Sequence, residues 1–244
     1  MAGYRRTALA LTAALTLGLS ACSGGGGAPP GGPGEPPGDQ QPAETTEPPP
    51  PPLTENSMPD SDTMDPGGAT FDALPDTTDP AQMEKHPCQG GEWADTGIPT
   101  TDESSIRQRT YESYAQPDSG AQVVVLQYDD IAAAEAGYQT VAEWMENCPT
   151  DTYEQFEDTT PIEVGPEVQA QLSVWSSESD SQFPGKMNRT DLAVFQNKHR
   201  VVWVATDLDS VTDTNFESTT LNPTDESPHW YFDLVPYLAE VTSG

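Results

Sequence analysis

The spacing of apolar residues along this chain changes several times, and each change marks an element. Thr7–Leu19 is an almost unbroken apolar stretch of 13 residues, whereas Ser23 to about Lys85 shows no helical or strand period. Regular patterning begins later. Ser105–Ala115 and Ala121–Asp129 read as two strands joined at Gln116-Pro117-Asp118-Ser119-Gly120, whose Pro, Asp and Gly favour a turn. Val123-Val124-Val125-Leu126 is apolar on both faces, as a central strand requires. Asp130 then caps a helix to about Asn147, with Ile131, Ala134, Tyr138, Val141, Met145 and Cys148 forming one stripe and Pro149 ending it. Strand signals return at Thr152–Glu157, Ile162–Val164 and Gln169–Ser176, where Ala170, Leu172 and Val174 share a face. Asp191–Gln196 and Val201–Thr206 form a hairpin about Asn197-Lys198-His199-Arg200. Ser227-Pro228 opens a last helix that buries Trp230, Leu234, Leu238 and Val241, with Pro236 expected to kink it. Strands, helix, strands, helix is the order of an α+β domain: an antiparallel sheet with helices packed on one face.

The early apolar run has a different meaning. Arg5 and Arg6 precede it, and its length suits the core of an export signal but falls short of the ~20 residues needed to span a bilayer. Leu19-Ser20-Ala21-Cys22 follows and resembles the lipobox of bacterial lipoproteins. That resemblance implies cleavage between Ala21 and Cys22, and acylation of the Cys22 thiol. Each buried methylene of an acyl chain contributes about 0.8 kcal/mol, and two or more chains make a durable anchor. Arg5-Arg6 is a weak match to a twin-arginine signal, because Ala8 stands where a bulky apolar residue is usual; general secretion is expected.

Composition separates the next segment from the rest. Ser23 to Lys85 holds 15 of the 25 prolines, a glycine run at Gly24–Gly27 and 12 acids against one base. A segment so poor in patterned apolar residues is expected to be a disordered tether spanning 22–85. The folded domain is then expected over 86–244, which contains all five tryptophans.

Charge narrows the functional classes. The chain has 9 Lys+Arg against 40 Asp+Glu, a formal −31, and loss of residues 1–21 removes Arg5 and Arg6. Nucleic-acid affinity comes from Lys and Arg displacing counterions, so nucleic acid is excluded as an expected partner. Adhesion to anionic headgroups also needs basic clusters. The acids are scattered, which points to a solvating, self-repelling surface on a monomer.

Besides Cys22, the cysteines are Cys88 and Cys148. An even pair in an exported domain implies a disulfide, closing a loop of about 60 residues with about 4 kcal/mol of chain-entropy stabilisation.

Region 86–241 resembles the extracellular sensor domain of mycobacterial receptor serine/threonine kinases (the PknH type), which also occurs in actinobacterial lipoproteins. The residues that carry the resemblance are Cys88, the helix end Trp144-Met145-Glu146-Asn147-Cys148, and Leu192-Ala193-Val194-Phe195 with Arg200-Val201-Val202-Trp203-Val204. It implies a Cys88–Cys148 disulfide, an antiparallel sheet with flanking helices, and a cleft for an unidentified ligand. The kinase ectodomains have a second disulfide in the late strands; this chain has no cysteine after Cys148.

No nucleophile elbow, zinc-protease helix, phosphate loop or paired catalytic motif is present. His86, His199 and His229 are expected on the surface. Asp207, Asp209, Asp213 and Asn215 read as an acidic loop with oxygen donors of the kind that hold Ca²⁺, but they miss the EF-hand spacing and are expected to be solvated. Arg107 and Arg109 share a strand face and are expected to pair with local carboxylates rather than receive an anion. The tryptophans are expected in the core.

The reading is therefore a lipid-anchored lipoprotein on the extracytoplasmic face of the cell membrane, with a sensor or ligand-binding domain and no cofactor, metal or catalytic residue expected. The alternatives are an accessory envelope lipoprotein that binds a protein partner and, more remotely, a hydrolase with a scattered site.

Overall fold

The computed structural model describes residues 50–64, 71–98, 104–113, 119–149, 154–155, 159–178, 186–212 and 229–243. The expected export segment with Ala21 and Cys22, the expected tether up to residue 49, Gln116-Pro117-Asp118 of the first turn, Asp213, Asn215 and Ser227-Pro228 lie outside them. No described helix is long and apolar enough to cross a membrane.

The α+β class is as the pattern predicts. Eight strands, β1 (Phe71–Ala73), β2 (Ile106–Ser113), β3 (Gly120–Gln127), β4 (Glu154–Gln155), β5 (Thr160–Pro161), β6 (Val168–Glu178), β7 (Lys186–Asn197) and β8 (Arg200–Thr212), form one antiparallel sheet. Its order is β1-β2-β3-β8-β7-β6-β4, with β5 also on β6. The meander β6-β7-β8 thus joins the β2-β3 hairpin through β8 and β3, with Val123 opposite Val204 and Val125 opposite Val202. The β7–β8 hairpin turns at Lys198, whose φ of 51° is left-handed.

Among the described residues two α-helices cover the sheet: α1 (Ile131–Glu146), packed on β6, β7 and β8, and α2 (Tyr231–Val241), packed on β6 and β7. The expectation of helices on one face is corrected. Val124, Leu126, Leu192, Val194, Val201 and Trp203 pack in the α1 core, whereas Val123, Val125, Ala193, Phe195, Val202 and Val204 pack in the α2 core. The reason is the period of two along a strand: a strand apolar on both faces needs cover on both.

Asp130 caps α1 as expected, its carboxylate accepting from Ala133 N at 2.8 Å. Ala134, Tyr138, Val141, Met145 and Cys148 are buried, but Ile131 is exposed. Gly137 of α1 faces Tyr128 so closely that a Cβ would overlap the phenol oxygen. In α2 the buried residues are Tyr231, Leu234, Val235, Leu238 and Ala239, while Trp230 and Val241 are only half-buried; Pro236 lies inside the helix. Cys88 and Cys148 are bonded, with Cα atoms 4.3 Å apart, so the disulfide ties the end of α1 to the segment ahead of β2.

The expected boundary at 86 is also corrected. Leu53, Met58, Met64 and Phe71 are at most 4% exposed and belong to the α2-side core. Phe71–Ala73 is strand β1, paired with Tyr111–Ser113 of β2. The acid- and proline-rich stretch conceals these four apolar anchors because they follow no regular period, yet together they roof one face of the sheet. The folded body starts by about residue 50.

Candidate functional site

Two adjacent rungs of the β7–β8 ladder organise the polar interior. Thr190 pairs with Asp207 and Asp191 with Thr206, so strand alternation sends one Thr–Asp set to each face.

On the α1 side, Thr190 Oγ1 donates to Asp207 Oδ1 at 2.6 Å, and His86 Nε2 lies 3.2 Å from Asp207 Oδ2. Cys88 N donates to His86 Nδ1 at 3.0 Å, so Nε2 carries the proton directed at Asp207. On the α2 side the same device recurs: Tyr231 N donates to His229 Nδ1 at 3.1 Å, and His229 Nε2 faces Asp191 Oδ2 at 3.1 Å. Arg189 Nε donates to Asp191 Oδ1 at 2.5 Å, and the guanidinium lies against the His229 ring. Trp230 Nε1 donates to Asp191 Oδ2 at 3.2 Å, and the Tyr231 hydroxyl donates to the Asp191 carbonyl at 3.0 Å. Burial alone would raise the Asp191 carboxyl, but Arg189 and His229 outweigh it and hold it well below the usual carboxylate range. Burial pushes the Tyr231 phenol well above its ordinary value.

The expectation of surface histidines is therefore corrected for two of them. His86 and His229 are 5% and 0% exposed, each drawn into a core by an aspartate on the sheet; His199 is only partly buried. In the α1-side cluster the carboxylate stands between the Thr190 hydroxyl and the His86 imidazole, and in the α2-side cluster the Tyr231 hydroxyl is directed at the Asp191 main-chain carbonyl rather than at the His229 ring. Nucleophilic catalysis needs the imidazole next to the hydroxyl, so these arrangements suit structural locking of the rungs.

Arg107 and Arg109 pair locally, as expected. Arg107 Nη1 donates to Asp76 Oδ2 at 3.0 Å, and Arg109 Nε donates to Asp76 Oδ1. Arg109 Nη1 also donates to the Pro59 carbonyl at 2.8 Å, as does the Tyr111 hydroxyl at 2.7 Å. The expected acidic loop is corrected: Asp207 and Asp209 lie inside β8, and Asp207 is engaged by Thr190 and His86. Trp93, Trp144, Trp175 and Trp203 are in the α1-side core, as expected.

Trp230 is the exception, and it marks the site. Trp230, Asp233, Leu234 and Tyr237 fall at i, i+3, i+4 and i+7, one face along α2, and form one wall of a groove of about 600 Å³. Asp60, Asp62 and Thr63 form the opposite wall, from a turn in which Asp60 Oδ1 accepts from Thr63 N at 2.9 Å and from Thr63 Oγ1 at 2.5 Å. Those two bonds hold the Asp60 carboxyl below its ordinary value. The turn is placed by Met58 and Met64, buried on either side of it. Sequence reasoning missed this wall because it lies in the stretch assigned to the tether. Met58 and Met64, bracketing an Asp-Ser-Asp-Thr turn, were the available signal.

No protein-family model matches the chain, and no curated protein matches it in sequence.

Proposed function

We propose that this chain is a lipid-anchored envelope protein, held at the extracytoplasmic face of the cell membrane through Cys22, whose globular body binds a ligand rather than catalysing a reaction. The observation that carries the ligand-binding part is the groove between α2 and the turn at Asp60–Thr63. Its volume of about 600 Å³ is in the range of small-molecule sites, and aromatic walls with a few charged groups are what such sites use. Large exposed apolar side chains among the described residues are Leu74, Ile131 and Tyr237, one each beside β1, on α1 and on α2, which favours a groove over a flat protein-docking patch. The lipobox at Leu19–Cys22 and the resemblance to receptor-kinase sensor domains support the same reading.

The test is thermal-shift screening of the detergent-solubilised full-length chain against cell-wall fragments, lipids and divalent ions. A true ligand at a hundredfold excess over its Kd adds about 2.7 kcal/mol, which for a body of this size raises Tm by about 5–10 °C. Silence across the panel turns the assignment toward a protein partner. For the anchor, intact mass should show an acylated Cys22, and Cys22→Ala should release or mis-process the protein. A variant that stays as firmly in the membrane fraction as the parent refutes the anchor.

A further inference from the structure

We propose that the groove between α2 and the Asp60–Thr63 turn takes an organic cation, a substituted ammonium or guanidinium group on a compact apolar body; this rests on the ligand-binding reading above.

The lining supplies two kinds of surface and lacks a third. Trp230, Leu234 and Tyr237 are apolar or aromatic, Asp60, Asp62 and Asp233 are acids, and among the described lining residues there is no Lys, Arg or His. Trp230, the N-cap of α2, and Tyr237 within it stand seven residues apart, about 10 Å along the helix axis. The indole is held before any ligand arrives. Its N–H is spent on Asp191, its centroid lies 4.4 Å from that of Tyr231, and it stacks on His229 at an interplanar angle of 23°. A cation placed over a face of this indole or of the Tyr237 ring would be attracted through the ring quadrupole.

Other ligand classes fit less well. Among the described lining residues an anion meets three carboxylates and no base. A neutral apolar molecule removes water from those carboxylates and returns nothing to them. A small metal ion needs converging oxygen ligands, and no group of three or more His, Cys, Asp or Glu among the described residues is placed to hold one. Spread carboxylates with aromatic surface between them match a cation whose charge is distributed over a larger, weakly hydrated group.

Isothermal titration calorimetry on the detergent-solubilised full-length chain, at about 0.15 M salt to screen diffuse attraction, tests this. The probes are choline, tetramethylammonium, arginine ethyl ester, dimethylbutanol (the uncharged isostere of choline) and calcium chloride. The expected result is single-site binding of at least one organic cation, weakened tenfold or more by Tyr237→Ala and by Asp233→Asn. Glu135→Gln, an exposed acid on α1, should change it less than twofold. Tyr237 and Asp233 are both exposed, so these variants should keep the parent's Tm and near-UV circular dichroism. If the uncharged isostere binds as tightly as choline and Tyr237→Ala weakens it, the groove stands and the cation assignment falls. The cation assignment also falls if no organic cation binds, if Glu135→Gln weakens binding as much as Asp233→Asn, or if calcium competes on equal terms. If a ligand found by thermal shift binds Tyr237→Ala as well as the parent, the groove itself is refuted.

Discussion

Cutting the chain at residue 86 should destroy its stability, although composition alone makes that cut look harmless. Deleting 50–85 strips Leu53, Met58, Met64 and Phe71 from the α2-side core. At about 1.5–3 kcal/mol for each fully buried side chain, the loss is about 6–12 kcal/mol, as large as the whole stability of a typical domain. The deletion also removes Asp76, the shared partner of Arg107 and Arg109, and the Pro59 carbonyl that accepts from Tyr111. With a urea m-value of about 2 kcal/mol/M, even the lower figure moves the midpoint down by about 3 M. The assay compares fragments 47–244 and 86–244 by urea unfolding, followed by tryptophan fluorescence and near-UV circular dichroism. The longer fragment should unfold in one cooperative step; the shorter should show no such step or a midpoint lower by about that amount. A single point variant separates core loss from truncation: Phe71→Ala in the longer fragment should cost about 3–5 kcal/mol. If 86–244 unfolds within about 0.5 M of 47–244, the strap contributes little and the packing argument is wrong.

Asp191→Ala should cost about 3–5 kcal/mol in urea unfolding, because Arg189 and His229 stay buried without their carboxylate. Because the folded Asp191 carboxyl is held below its unfolded value near 3.9, its stabilisation is complete above that pH and is lost as pH falls toward the depressed folded value. Stability of the parent measured against pH should therefore fall more steeply below about pH 4 than that of Asp191→Asn. Opening the Cys88–Cys148 loop, with a sequence separation of 60, should cost about 4 kcal/mol by chain entropy, read as the stability difference between oxidised and reduced protein. Gly137→Ala should destabilise by about 1–2 kcal/mol: overlap with Tyr128 outweighs the gain of up to about 1 kcal/mol in helix propensity, and a rise in Tm would contradict that contact.

The legible parts of the fold were those governed by a short-range period. Helix α1 could be placed by Asp130, its stripe and Pro149, and β3 and β8 by their β-branched runs. The disulfide could be read from the even pair of cysteines left after Cys22 and the expectation of export. Illegible parts depended on partners distant in sequence. Leu53, Met58 and Met64 carry no period because each is fixed by the sheet and α2 rather than by its own neighbours. His229 looked like a helix-edge surface residue until β7 set Asp191 beneath it, 38 residues earlier in the chain. The groove needed both corrections at once, since one wall lies in the misassigned stretch and the other turns on Trp230 leaving the core.

A single side chain at the β7–β8 turn fixes where the body's two ends lie. Arg200 donates through Nη2 to the Pro51 carbonyl at 2.9 Å and through Nη1 to the Thr242 carbonyl at 2.5 Å. Entry and exit of the folded chain thus meet within the span of one guanidinium, so the body is a closed loop of polypeptide pinned at its neck. A reporter joined directly after Ser243 would therefore begin close to Pro51. Joining the two ends through a short linker and opening the chain elsewhere should preserve the architecture.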